Sequence, residues 1–130
     1  MAIKEEAVKL HKSGFNCAQS VVCSCGEYTG LDSKTSLAVS GGFGGGVRCG
    51  EVCGAVSGGI MAISMAFPYA DSTDLAAKDK IAALTCEFTS RFKEKFGCLR
   101  CADLKKPETD CNEFIAFAAA LAEEIIKNNQ

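Results

Sequence analysis

The 130-residue chain has no tryptophan, only two prolines and one histidine, and aromatic residues make up 8% of it. It has 14 basic and 16 acidic residues, a formal net charge of −2, and no basic stripe. Nucleic-acid binding, which needs concentrated positive charge, is therefore disfavoured. The most apolar stretch, residues 58–66, is too short to cross a bilayer, and the N-terminus lacks the apolar run of a signal peptide. We expect a cytoplasmic protein with neither a nucleic-acid nor a membrane partner.

No segment shows the apolar–polar alternation of a strand, whereas apolar residues recur at helical spacing along most of the chain. Helices are predicted over 2–13, from 17 to near 30, over 34–40 (short), 51–67 and 74–96, and from 110 to near 125. The chain is thus predicted to be an all-α, single-domain bundle of about five helices over residues 1–130. A glycine-rich loop at 41–46 precedes the helix at 51–67. Because that helix lacks a polar face, it should lie at the centre of the fold.

Cysteine is the exception to an otherwise ordinary composition, with nine residues: Cys17, Cys23, Cys25, Cys49, Cys53, Cys86, Cys98, Cys101 and Cys111. In a reducing cytosol this density indicates metal binding or redox chemistry. Cys23 and Cys25 are two positions apart in a predicted helix, so they point roughly 200° apart and cannot share one metal. Cys86 lies in mid-helix near an apolar stripe. A structural, buried role is the favoured interpretation for Cys23 and Cys86, and Cys25 is a further candidate for the same role.

Three other cysteines are predicted at the beginning of helices. Cys17 and Cys111 follow the predicted N-caps Asn16 and Asp110, which have Gln19 and Glu113 at capping-box spacing. Cys53 follows the glycine-rich coil in an equivalent position. Unpaired N–H groups and the helix dipole favour a thiolate there, and such cysteines are nucleophiles or metal ligands. Cys101, in the loop after the long helix, is the natural fourth member of this candidate site.

The glycine and cysteine motifs can be compared with several known functional motifs. Arg48-Cys49 does not supply the Lys-hydroxyl pair of a Walker loop, and the glycine register does not match a dinucleotide fingerprint. A nest of backbone N–H groups that holds some other anion beside Arg48 stays open. Cys98-x-x-Cys101 is compatible with a redox pair or half a metal knuckle, and Cys49-x-x-x-Cys53 is a weaker signal. Ala102 stands where covalent haem attachment would need histidine.

The segments GFNCAQSV (14–21), GFGGGVRCGEVCGAVSGG (42–59) and CADL (101–104), with Cys111, resemble the C_GCAxxG_C_C family of redox-active proteins over nearly the whole chain. The resemblance assigns the family cysteines to four positions: Cys17, Cys53, Cys101 and Cys111. The family name writes Gly-Cys-Ala-x-x-Gly, whereas here Gly54 stands between the cysteine and the alanine. The family is also similar to the split-Soret cytochromes c, dimers that carry an iron–sulfur cluster beside their haems, and only the cluster part of that similarity could apply here.

Three hypotheses follow. The leading one is an iron–sulfur cluster for electron transfer, held by Cys17, Cys53, Cys101 and Cys111, with Cys49 and Cys98 as alternate ligands or resolving thiols. The second is a metal-free thiol–disulfide oxidoreductase that cycles Cys98 with Cys101, or Cys53 with Cys111. The third is a helical module with a structural zinc–thiolate site. A redox partner protein is implied but not identified, and the apolar faces are compatible with a homodimer.

Overall fold

The computed structural model describes residues 2–130 and confirms an all-α, single-domain fold in that range. The helices are α1 (Ile3–Lys12), α2 (Cys17–Ser24), α3 (Gly26–Thr29), α4 (Ser33–Ser40), α5 (Gly54–Ala66), α6 (Leu75–Phe96), α7 (Cys101–Leu104) and α8 (Cys111–Asn128). A π-type turn, Gly46–Gly50, precedes α5. The described chain thus has more helices than the predicted five or so, because the second helix breaks at Cys25 and a short helix forms after Arg100.

The predicted helix starts are largely confirmed. Asn16 and Gln19 form the capping box of α2, in which the Gln19 N–H donates to Asn16 Oδ1 at 2.9 Å and the Asn16 N–H donates to Gln19 Oε1 at 3.1 Å. Asp110 caps α8 by accepting from the Asn112 N–H, so the predicted reciprocal box with Glu113 is wrong. Both Cys17 and Cys111 consequently occupy the first position of their helices.

Helix α5 is the central element, as its small and apolar residues predict. It packs against α2, α6 and α8, while α1 packs against α8. Its buried residues are Gly54, Ala55, Val56, Gly58, Gly59, Ala62 and Ile63. The opposite face of its C-terminal half is not covered, and Met65 is 41% exposed. None of the helices in the described part of the chain combines the length and the apolar composition that a membrane span requires.

The three cysteines for which a buried role was considered, Cys86, Cys23 and Cys25, differ in exposure. Leu84, Phe88 and Phe92 are buried at successive i, i+4 positions, so Cys86, two residues from Leu84 and from Phe88, points away from the core. The expected burial of Cys86 is therefore wrong, since its side chain is exposed. Cys23 is half-buried. Cys25 is fully buried, and desolvation raises the pKa of its thiol to about 12, which keeps it protonated.

Candidate functional site

A short backbone pairing brings Cys53 and Cys101 together. Val52 and Arg100 form an isolated antiparallel bridge, in which the Cys53 N–H donates to the Leu99 carbonyl at 2.8 Å and the Cys101 N–H donates to the Glu51 carbonyl at 2.7 Å. Successive residues point to opposite faces of such a pair, so Cys53 and Cys101 share the inner face. Their side chains are only 5% and 8% exposed. The predicted helix at 51–67 begins late, at Gly54, because the residues before it are engaged in this pairing.

The loop before the bridge has an unusual backbone. Residues 45–48 all have positive φ, at 63°, 64°, 54° and 64°. Glycine tolerates this conformation, but Val47 and Arg48 are side-chain-bearing residues in the left-handed region, where the cost is about 1–2 kcal/mol each. The turn closes with a hydrogen bond from the Glu51 N–H to the Gly46 carbonyl at 3.0 Å. It places Arg48 at the edge of the site and the Gly45 N–H against the sulfur of Cys17.

Gly54 explains how α5 approaches α2 so closely. A Cβ atom at this position would lie closer than 3.0 Å to Cys17 Sγ and to the Phe43 carbonyl oxygen. Real Cβ contacts essentially never come that close, so only glycine lets the first residue of α5 lie against Cys17. The glycine that separates Cys53 from Ala55 in this sequence is therefore required by the packing of the site.

The four cysteines assigned by the family resemblance line one cavity of about 210 Å³. We call it the cysteine cavity, and its wall consists of His11, Asn16, Cys17, Gly45, Arg48, Cys53, Cys101, Leu104, Lys105, Cys111 and Phe114. The remaining candidates do not contribute to this wall. Cys49 is exposed and its thiol donates to the Gly46 carbonyl at 3.5 Å, and Cys98 is half-buried against the core.

The neighbours of Cys17 in the cavity lower the pKa of its thiol. The Cys53 thiol, as its hydrogen-bond donor, lowers the pKa of Cys17 to about 5. The backbone N–H groups of Gly45, Ala18 and Cys17 itself act in the same direction and outweigh the opposing effect of burial. These surroundings consequently favour the thiolate form of Cys17.

The other three thiols of the cavity stay protonated. Donation to Cys17 is the main cause that raises the pKa of Cys53 far above its usual range, and burial adds to it. Desolvation also raises the pKa values of Cys101 and Cys111, although Lys105 opposes the rise in both. The expectation of a thiolate at each of three helix starts therefore holds for Cys17 and is wrong for Cys53 and Cys111. At those two positions, burial or a neighbouring anion raises the thiol pKa by more than the helix terminus lowers it.

The arrangement of donors distinguishes between the metal hypotheses. Among residues 2–130, no three histidine, cysteine or carboxylate side chains are gathered around a point where one metal ion could bind. A tetrahedral zinc site needs four ligands at about 2.0–2.3 Å from a single ion. The zinc–thiolate hypothesis thus lacks a preformed site in the described chain.

The shared proton of Cys17 and Cys53 gives a prediction for stability. In the unfolded chain both thiols have the ordinary pKa of 9.0, so two protons are bound below pH 9. The folded pair binds one proton between about pH 5 and pH 9, and stability must rise with pH over that range, by about 1.4 kcal/mol per pH unit for one proton. Urea denaturation of the reduced protein at pH 6–8 should show this slope. The Cys17→Ser variant should lose it, and equal slopes in the two proteins would contradict a Cys17 thiolate.

One histidine enters the site from a distant part of the chain. His11 of α1 hydrogen-bonds through Nδ1 to Asn112 Oδ1 at 2.7 Å, and its ring lines the cysteine cavity. Asn112 stands next to Cys111 at the start of α8. No local sequence pattern marks His11 as a site residue, because it reaches the site only through the packing of α1 on α8. Lys105 was missed as well, because no sequence pattern marks the lysine that follows α7 as part of a cavity wall.

Comparison with known proteins gives one finding. The model of the C_GCAxxG_C_C family, described as "Putative redox-active protein (C_GCAxxG_C_C)", matches residues 15–125. No curated protein and no solved structure matches the chain. The similarity to the split-Soret cytochromes c stays a prediction.

Proposed function

The chain belongs to the C_GCAxxG_C_C family, and from this premise we propose that it is a thiol–disulfide redox protein whose working pair is Cys17 and Cys53. The observation that carries the proposal is the asymmetry of this pair in the cysteine cavity: donation from the buried Cys53 thiol lowers the pKa of Cys17 and raises the pKa of Cys53. The thiolate is the nucleophile in disulfide exchange. The pairing differs from both dithiols that the sequence suggested, Cys98 with Cys101 and Cys53 with Cys111.

The reaction has two steps. The Cys17 thiolate attacks one sulfur of a substrate disulfide, so that a Cys17–substrate bond forms, the substrate S–S bond breaks and one thiolate leaves. The Cys53 sulfur then attacks Cys17 Sγ and releases the second substrate thiol. The Cys53 proton passes to one leaving thiolate, and the other leaving thiolate takes a proton from solvent. The substrate disulfide is reduced by two electrons to two thiols, and the protein is oxidised to a Cys17–Cys53 disulfide.

The cavity also favours the second step. The main cause that raises the pKa of Cys53 is its donation to the Cys17 thiolate. Once Cys17 is in a mixed disulfide it has lost that negative charge, so the cause disappears and Cys53 ionises more readily. Burial of Cys53 meanwhile protects its thiol from direct attack by solvent oxidants.

Thiol mapping tests this proposal. Metal-free, reduced protein treated with a small disulfide should lose two thiols per chain, and peptide mapping should find the Cys17–Cys53 bond. The Cys53→Ser variant should stop at a mixed disulfide on Cys17, and Cys17→Ser should form neither product. Cys86→Ser, which removes an exposed cysteine of α6, is the matched control and should behave like the wild type. Oxidation that joins any other pair first would contradict the assignment.

An iron–sulfur cluster is a second candidate, favoured by a separate observation. Four thiols from separate segments of the chain line one cavity with no carboxylate in its wall. In a cluster the cysteines bind different irons, so their sulfurs need not converge on one point, as a single metal ion would require. Cys17, Cys53, Cys101 and Cys111 would hold the cluster, and it would supply one-electron transfer. The Gly45 and Ala18 N–H groups that now stabilise the Cys17 thiolate would serve as donors to sulfur.

Anaerobic preparation separates the two candidates. Cluster-bearing protein should be brown and contain iron and sulfide in fixed ratio. Cys101→Ser and Cys111→Ser should then lose iron, whereas in the dithiol mechanism both variants should still form the Cys17–Cys53 disulfide. Colourless protein without iron, prepared without oxygen, would refute the cluster.

A further inference from the structure

The wall of the cysteine cavity is positively charged although the chain as a whole is acidic. The chain has 16 acidic and 14 basic residues, yet no Asp or Glu lines the cavity, and Arg48 and Lys105 both do. Asp110 lies nearby and acts on Cys111, but it is not part of the wall. The segregation of charge therefore favours anions at the cavity.

The two cations are not committed to carboxylates. Within residues 2–130, neither Arg48 nor Lys105 forms a salt bridge, whereas Arg91 binds Glu87 and Glu124. Arg48 is moreover positioned by the left-handed backbone of residues 45–48. Both side chains are exposed at the rim, where they can reach a bound molecule.

The size of the cavity restricts what can enter. Its volume of about 210 Å³ is below the roughly 300–1,000 Å³ of sites for drug-sized ligands. A low-molecular-weight molecule, or one arm of it, fits such a volume. Leu104 and Phe114 supply the apolar part of the wall, which suits a short carbon chain next to a sulfur.

We propose that the substrate of the cysteine cavity is a small disulfide carrying carboxylates, which Arg48 and Lys105 bind so that its sulfurs meet Cys17. This inference rests on the proposed dithiol function and adds the chemical class of its substrate. The charged arms pair with the cations at the rim, while the disulfide lies over the Cys17 sulfur in the same cavity. The exchange step is the one described above, and its products are two carboxylate-bearing thiols.

Three disulfides of similar size test the proposal: 3,3′-dithiodipropionate with two negative charges, uncharged hydroxyethyl disulfide, and cystamine with two positive charges. We expect the reduced protein to react with dithiodipropionate about tenfold faster than with hydroxyethyl disulfide, and slowest with cystamine, at low salt. Arg48→Gln, Lys105→Gln and the double variant should remove the preference. Lys106→Gln, an adjacent lysine outside the cavity wall, is the matched control and should retain it.

A second readout follows alkylation of single cysteines by mass spectrometry. The ratio of the iodoacetate rate to the iodoacetamide rate should be higher at Cys17 than at the exposed Cys86 of the same molecule, and it should fall to the Cys86 value in the double variant. A Cys17 that reacts rapidly with all reagents but shows no charge preference would overturn this inference and leave the dithiol function intact. At pH 5.5, where an ordinary thiol is almost wholly protonated, a Cys17 no more reactive towards iodoacetamide than Cys86 would instead overturn the dithiol function. A preference that survives in the double variant would also refute the assigned residues.

Discussion

Replacement of Cys53 by alanine is expected to move the inflection of the pH–reactivity profile of Cys17 from about 5 towards the ordinary thiol value of 9.0. Donation from the Cys53 thiol is the largest cause of the low pKa of Cys17, so its removal leaves burial opposed only by backbone N–H groups. Alkylation by iodoacetamide, followed at Cys17 by mass spectrometry between pH 4 and pH 10, measures the shift.

At a fixed pH, the alkylation rate of Cys17 should fall by less than the loss of thiolate alone implies. At pH 6 a thiol of pKa 5 is roughly 90% ionised and one of pKa 9 roughly 0.1%, a loss of almost a thousandfold in thiolate. The more basic thiolate is, however, intrinsically a better nucleophile, by about 0.4–0.5 log units per pKa unit, which recovers roughly 60-fold. The net expectation at pH 6 is that Cys53→Ala reacts about tenfold more slowly than the wild type.

Two further variants test whether the lost hydrogen bond from Cys53 causes the change in the pH profile of Cys17. Cys53→Ser retains an O–H group beside Cys17 and should give an inflection between those of the wild type and Cys53→Ala. Cys49→Ser changes an exposed thiol outside the cavity wall and should leave the profile unchanged. If the Cys53→Ala inflection remained near pH 5, the N–H groups of Gly45 and Ala18 would be the main stabilisers of the thiolate, and the dithiol pairing would be refuted.

Replacement of Gly59 by alanine is expected to destabilise the fold by about 2 kcal/mol. A Cβ atom there would collide with the ring of Phe88, which is fully buried and cannot move aside. Overpacking of a core costs about 1–3 kcal/mol, and a collision with an immobile ring belongs at the upper end, while alanine recovers about 1 kcal/mol of helix propensity. Thermal denaturation should show a midpoint lower by about 6 °C.

A double-mutant cycle identifies the cause. Phe88→Leu removes ring atoms opposite Gly59, so Gly59→Ala combined with Phe88→Leu should be more stable than the sum of the single effects, by about 1 kcal/mol. Gly26→Ala is the control for a helical glycine, because its Cβ would meet only the Leu31 carbonyl at 3.6 Å, and it should be neutral or slightly stabilising. Strict additivity of the Gly59 and Phe88 substitutions would contradict the close packing of α5 on α6.

Local sequence patterns predicted the elements whose cause is local. The cap Asn16 and the end of the long helix at residue 96 were predicted, because side-chain-to-backbone bonds and a left-handed glycine act within a few residues. The start of α5 was predicted too early. Its position depends on the pairing of Val52 with Arg100, a contact between distant parts of the chain that leaves no periodic signal.

In the candidate site, too, some features follow from local sequence and others only from contacts between distant parts of the chain. The amino-acid sequence by itself determined that the chain is all-α and that one helix has residues small and apolar enough to pack at the centre. It also determined which four cysteines match the family. Only the tertiary structure decided that these four line one cavity, that His11 and Lys105 line it as well, and that Cys17 is the one of the four whose pKa is lowered. The reason is that a helix start is a local property, whereas the pKa of a thiol depends on the donors, charges and burial that packing brings to it.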